Sequence, residues 1–204
     1  MDIQKVTWEV QYLSPLPVWR HCKKCGEKTK YICSELFRVN AQQKDLDIWL
    51  IYRCSVCDTT WNMSLFSRIS SKRIKPELLE QFYTNDRALA RQYAMDFYLI
   101  NKNRAEAGLP EFRIVGEDTC FLVPTELHIK SQYASQIKVS KIISDKLGLS
   151  QKTFTNMVEC GQIRSIDGKN LKKCKLNKGV VISFFTCGAR ILSQTQDPSQ
   201  PLRP

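Results

Sequence analysis

No stretch of this chain approaches the roughly 18 consecutive apolar residues of a membrane span, so the sequence is read as having no membrane contact. Histidine is scarce, with only His21 and His128. There is no Gly-rich phosphate loop, no Gly-x-Ser-x-Gly turn, and no His-rich metal site with an open position. These absences leave little for catalysis to use, and the chain is read as a non-enzyme. The opening Met1-Asp2-Ile3-Gln4-Lys5 is polar and leads into a strand, unlike a secretory signal. Nine cysteines without such a signal are expected to be reduced thiols in a cytoplasmic protein. No internal repeat is visible.

Four of those cysteines form a pattern. Cys22-Lys23-Lys24-Cys25 and Cys54-Ser55-Val56-Cys57 are two Cys-x-x-Cys pairs enclosing 28 residues. A two-residue gap lets one tight turn aim two thiolates at a single point, and tetrahedral zinc takes four such ligands. The residues between read as two strands, Lys30 to Val39 outward and Ile48 to Arg53 returning. A hairpin of that kind brings its ends side by side. The spacing predicts a zinc ribbon with structural zinc on Cys22, Cys25, Cys54 and Cys57. The spacer exceeds the usual ~15–20 residues, which a longer hairpin absorbs. A thioredoxin-like redox pair would need a βαβ surround, which is missing. His21 is a spare ligand that four cysteines make unnecessary, and Cys33 reads as a strand residue.

The net charge is +11, and its placement is uneven. Residues 128–191 hold twelve Lys and Arg against Asp145, Glu159 and Asp167, a surplus of nine. Residues 1–127 carry a surplus of only two. A local basic excess fits a polyanion-binding face, and it equally fits a solvated lysine-rich surface.

Alternation marks Val6 to Tyr12 and Thr60 to Phe66 as strands. Trp19, Trp49 and Trp61 are expected to shield the thiolates, with base stacking as the alternative. Pro76 opens a helix. A second is expected from Asp86 to Ala107, with Thr84 or Asn85 as cap and Leu89, Tyr93, Phe97 and Ile100 on one face. Phe112 to Val115 and Cys120 to Val123 read as short strands or extended linkers. A helix from Val139 to Leu147 is stopped by Gly148. Ser150 caps another, stopped by Gly161. A short strand, an Asp167-Gly168 turn and an apolar run from Val180 to Phe185 follow. The Gln-, Ser- and Pro-rich tail is expected to be disordered.

That last order of elements resembles the S-four RNA-binding domain, the αL motif of a small-subunit ribosomal protein. Ser150 and Gly161 stand eleven residues apart, as in that family. Ile166-Asp167-Gly168 loosely matches its Val-Asn-Gly turn, and Gly179-Val180-Val181-Ile182 its closing Gly-Asp-x-Ile. Gln151 replaces the family's arginine after the serine, leaving Lys152 to serve. The resemblance implies contacts to folded RNA from Lys152, Arg164, Lys169, Lys172, Lys173 and Lys175.

A second resemblance runs nearly end to end. Phe37-Arg38-Val39-Asn40-Ala41, Trp49 to Cys54, Cys57 to Asn62, and Asn85-Asp86-x-Ala88-Leu89-Ala90 are similar to an uncharacterised bacterial family, domain of unknown function 1062. It implies a zinc-ribbon N-terminus and a bacterial origin, and supplies no activity. The expected fold is α+β: an antiparallel zinc ribbon over 1–72, a helical linker region over 73–127, an S-four-like basic module over 128–191 and a tail over 192–204. The expected function is binding of structured RNA, ribosomal RNA or tRNA. A DNA-binding regulator and a zinc-stapled adaptor for another protein are the alternatives.

Overall fold

The computed structural model describes residues 3–42, 44–118 and 123–185, the side chain at 135 excepted. Along the chain run β1 (Gln4–Tyr12), β2 (Val18–Cys22), β3 (Glu27–Gln42), β4 (Asp45–Cys54) and β5 (Thr60–Ser70). Next come α1 (Pro76–Tyr83), α2 (Arg87–Ala94), α3 (Phe97–Lys102), β6 (Glu106–Ala107), β7 (Phe112–Gly116) and β8 (Thr125–Lys138). The described elements end with α4 (Val139–Leu147), α5 (Gln151–Glu159), β9 (Ile163–Ser165) and β10 (Lys175–Phe184). The expected strand or linker Cys120 to Val123 lies, Val123 apart, outside the described residues, as do Cys187, Arg190 and the tail.

The protein is mostly β, 47% strand and 24% helix, in two curled half-barrel sheets. This overturns the expected α+β architecture of an antiparallel zinc ribbon, central helices and a small C-terminal α+β module. Two causes are physical. The cysteine hairpin does not stop at a ribbon: β3 runs for 16 residues and β5 continues to Ser70, so both belong to a full sheet. Residues 125–138, given no element from the sequence, form a 14-residue strand.

By compactness the described chain forms two units, one of Val10–Arg113 with Ser131–Ile137, the other of the remainder. The first contains the sheet ordered β5-β4-β3-β2-β6. Strand β4 shows why it folds this way: Leu46, Ile48, Leu50, Tyr52 and Cys54 are all buried, a period of two that turns one face inward. In β3 the pairing with β4 shifts between Cys33 and Phe37, and Glu35 there has φ 57°. Such a bulge bends a long strand. Helices α1 and α2 pack on this sheet through aromatic rings, with Phe37 and Phe82 edge to face at 4.9 Å and Phe82 stacked on Tyr93 at 5.8 Å.

The single helix expected from Asp86 to Ala107 is broken. Asp86 itself caps α2, accepting from the Leu89 N–H at 2.7 Å. Asn85 is freed for another task, accepting from the Phe37 N–H at 2.7 Å. Asp96 then caps a new helix through the Leu99 N–H at 3.0 Å. Asn103 ends α3: its side chain takes the Ser64 N–H at 2.8 Å and donates to the Ser64 carbonyl at 3.0 Å. Leu89 and Ile100 are buried, and Tyr93 and Phe97 pack against the same core, so the expected apolar face survives the break.

The second sheet is ordered β7-β1-β8-β10-β9. Val6 and Trp8 on β1 are buried, and the Trp8 indole donates to the Glu117 carbonyl at 2.8 Å. Helices α4 and α5 follow the sequence reading. Gly148 closes α4 in the left-handed conformation. The Ser150 hydroxyl caps α5, accepting from the Thr153 N–H at 3.0 Å.

Candidate metal centre and basic surface

The turn after β2 and the turn after β4 lie at the same end of one sheet, because β2, β3, β4 and β5 alternate in direction. Each turn presents a Cys-x-x-Cys pair, and each is closed in the same way. The Gly26 N–H donates to the Cys22 carbonyl at 2.9 Å, and the Asp58 N–H to the Cys54 carbonyl at 3.0 Å. Both closing residues have positive φ, 74° at Gly26 and 58° at Asp58. A glycine adopts that backbone freely, and aspartate is among the side chains that tolerate it.

The four sulfurs all lie within 4.8 Å of one another. Cys22 and Cys57 are 3.5 Å apart, Cys25 and Cys54 3.9 Å. Four sulfurs placed 2.3 Å from a central ion at tetrahedral angles would be about 3.8 Å apart, so the spacing fits one metal ion. These are free thiols, far beyond the roughly 2.05 Å of a disulfide. The sequence prediction of Cys22, Cys25, Cys54 and Cys57 as one cluster therefore corresponds to an assembled site, and His21 and Cys33 stand outside it.

Neighbours that the cysteine spacing did not reveal surround the sulfurs. The Thr29 hydroxyl lies 3.2 Å from the Cys54 sulfur, and the Thr59 hydroxyl 3.1 Å from that of Cys57. A hydrogen bond from Tyr31, helped by the Cys25 N–H, draws the Cys22 thiol down to about 6. Burial pushes the Cys54 thiol up, but Thr29 and the backbone N–H groups of Cys57 and Val56 outweigh it and leave it lowered. Cys25, bonded to Cys57 and buried beside the other sulfurs, is held well above the usual thiol range. Hydrogen bonding and burial thus separate the thiols, lowering Cys22 and Cys54 and raising Cys25, and it is the deprotonated form of each that a divalent cation would bind. The signal for these residues was present: Thr29 and Tyr31 are two apart on β3, hence on one face.

Among the residues implied for RNA, the structure separates two groups. Arg164 on β9, with Lys169 and Lys172 on the loop before β10, lines a cleft of about 420 Å³ that also includes Ser165 and Asn170. Lys152 in the first turn of α5, Lys173 and Lys175 are exposed but do not line it. Lys169 is paired with Asp167, and Lys172 with Glu159 at 2.6 Å. The Asp167 pairing holds that carboxyl below the usual range and raises Lys169.

Fold and site together define a mostly β protein with a four-cysteine candidate metal centre. The family described as protein of unknown function (DUF1062) matches residues 39–169, and the chain belongs to that family. The matched span includes Cys54 and Cys57 and begins after Cys22 and Cys25. No curated protein and no solved structure matches the chain. Among the described residues no helix is long and apolar enough to cross a membrane.

Proposed function

We propose that this chain is a non-catalytic, cytoplasmic protein that binds structured RNA, with a structural Zn²⁺ on Cys22, Cys25, Cys54 and Cys57. Four thiolates suit zinc, and they fill a tetrahedral shell without leaving a position for substrate. The observation carrying the RNA reading is the state of the cations. Lys152, Arg164 and Lys173 are exposed and form no ion pair with any described residue, within a segment whose surplus is nine positive charges. Uncommitted cations neutralise phosphates and release counterions, and the α4–α5 pair with its following loop offers a shape-reading face.

Filter binding of the full chain to a tRNA across a salt series tests this. Affinity should fall by about 0.7–0.9 log unit per log unit of salt for each phosphate neutralised. A protein with no affinity at low salt overturns the reading. Preference for duplex DNA of equal length in direct competition would replace it with the DNA-binding one. Elemental analysis tests the metal, with one zinc per chain expected.

A further inference from the structure

Arg164 is held in place without being used. Gly161, at φ 77°, passes so close beneath its guanidinium that a Cβ there would lie 2.5 Å from Nη2. The Arg164 Cζ is 5.9 Å from the centre of the Phe185 ring, and Phe185 is 49% exposed. Among the described residues the guanidinium makes no hydrogen bond or ion pair. The other two cations of the cleft, Lys169 and Lys172, are tied to carboxylates. Arg164 is therefore an exposed planar group at the edge of a cleft of about 420 Å³, positioned by a glycine and a ring, with its Nε and Nη2 on the side of Gly161. Sites for small ligands begin at about 300 Å³.

We infer that this cleft and its Arg164 rim receive one unpaired nucleotide of a structured RNA, its phosphate on the Arg164 guanidinium and its base stacked on Phe185, the ring beside that rim. The inference rests on the RNA-binding reading above and narrows it. A guanidinium binds phosphate through two parallel donors, which a lysine cannot match. Bases splayed from loops and bulges stack on aromatic rings and arginine planes, whereas a base inside a duplex is not available to do so. The cleft would then distinguish a bulged helix from a fully paired one of nearly the same charge.

The test uses the full chain, a short RNA hairpin with one bulged nucleotide, and the same hairpin fully paired. The wild-type chain should bind the bulged hairpin about tenfold more tightly, a factor within the range of base stacking. Arg164→Lys and Phe185→Leu, each checked for an unchanged melting temperature, should abolish that preference, so that the bulged and paired hairpins bind the variant with equal affinity. Lys152→Ala should weaken both RNAs alike and preserve their ratio. Equal wild-type affinity for the two hairpins overturns this inference and leaves the RNA reading standing, as does a full preference retained by Arg164→Lys and Phe185→Leu. Absence of binding to either RNA overturns both.

Discussion

The Arg20 guanidinium lies 4.2 Å from the centre of the Trp61 ring, with the Tyr31 ring 5.7 Å away on its other contact. Its Nη1 is buried and has no hydrogen-bond partner among the described residues. Burial lowers its pKa, while the neighbouring Tyr31 and Cys22 favour the charge. A stacked cation beside four thiolates offsets the negative charge that accumulates there. Aromatic stacking of a partly desolvated cation is worth on the order of 1–2 kcal/mol, so Arg20→Ala should weaken metal retention by roughly tenfold. Arg20→Lys should recover part of it. The measurement is competition with a chelator, and an Arg20→Ala protein that holds metal like wild type would exclude the role.

The metal itself is expected to decide whether the unit containing β2 to β5 folds. Apparent binding at structural four-ligand sites is worth about 10–16 kcal/mol. Cys54→Ser should drop metal content well below one ion per chain and speed hydrogen exchange at both cysteine turns. The pH dependence has a definite sign. Protons compete with metal for thiolates, so affinity falls as pH falls. Above pH 6 Cys22 is already ionised, and the slope reflects sulfurs that still hold protons, Cys25 foremost. Below about pH 6 Cys22 joins them and the slope steepens. Affinity independent of pH between 5 and 8 would contradict this.

Much of the site was legible in the chain because a two-residue cysteine gap constrains geometry locally. Cys22, Cys25, Cys54 and Cys57 needed only a hairpin to meet. The α4 and α5 boundaries were equally local, set by Gly148, Ser150 and Gly161. What escaped was non-local. Asp86 and Asp96 both sit before apolar residues at helical spacing, so the pattern from Leu89 to Ile100 reads as continuous. Only Asn103 bonding across to Ser64 reveals where it ends. Strand β8 was missed for a related reason. Its buried face is itself partly polar: Thr125 and Ser131 lie buried in line with Leu127, Ile129 and Ile137, so the apolar alternation is interrupted, while Lys130, Gln132 and Lys138 are exposed.

Asn103 offers a direct check of that account. Its amide stands in for a neighbouring strand, satisfying both the Ser64 N–H and carbonyl while also donating to the Leu99 carbonyl at 2.9 Å. Asn103→Ala strands these groups, and an unsatisfied buried donor or acceptor costs about 1–3 kcal/mol. A loss of about 2 kcal/mol in denaturant unfolding is expected, with metal stoichiometry unchanged. Wild-type stability in that variant would show that water replaces the amide without cost.

Cys33 and Cys160 should part company under alkylation. Cys33 is close to the metal turns in sequence and in the sheet, where its Cα partners that of Tyr52. Burial, the largest influence, pushes its thiol up to about 11, against a hydrogen bond from the Glu35 N–H. The reactive species is the thiolate. A raised value means that Cys33 remains protonated at pH 8, and its thiolate appears only as pH climbs towards 11. The same sign applies to stability: the contribution of the neutral thiol is intact below the unfolded thiol range near pH 9 and is lost as pH rises through about 11. Cys160 is exposed. With metal bound at pH 8, iodoacetamide followed by peptide mass mapping should label Cys160 within minutes and leave Cys33 and the four cluster cysteines unmodified. Adding a chelator should expose Cys22, Cys25, Cys54 and Cys57, with Cys33 following only if the sheet itself opens. Rapid labelling of Cys33 in the metal-loaded protein would show that the β3 bulge opens locally, and that its burial does not protect it.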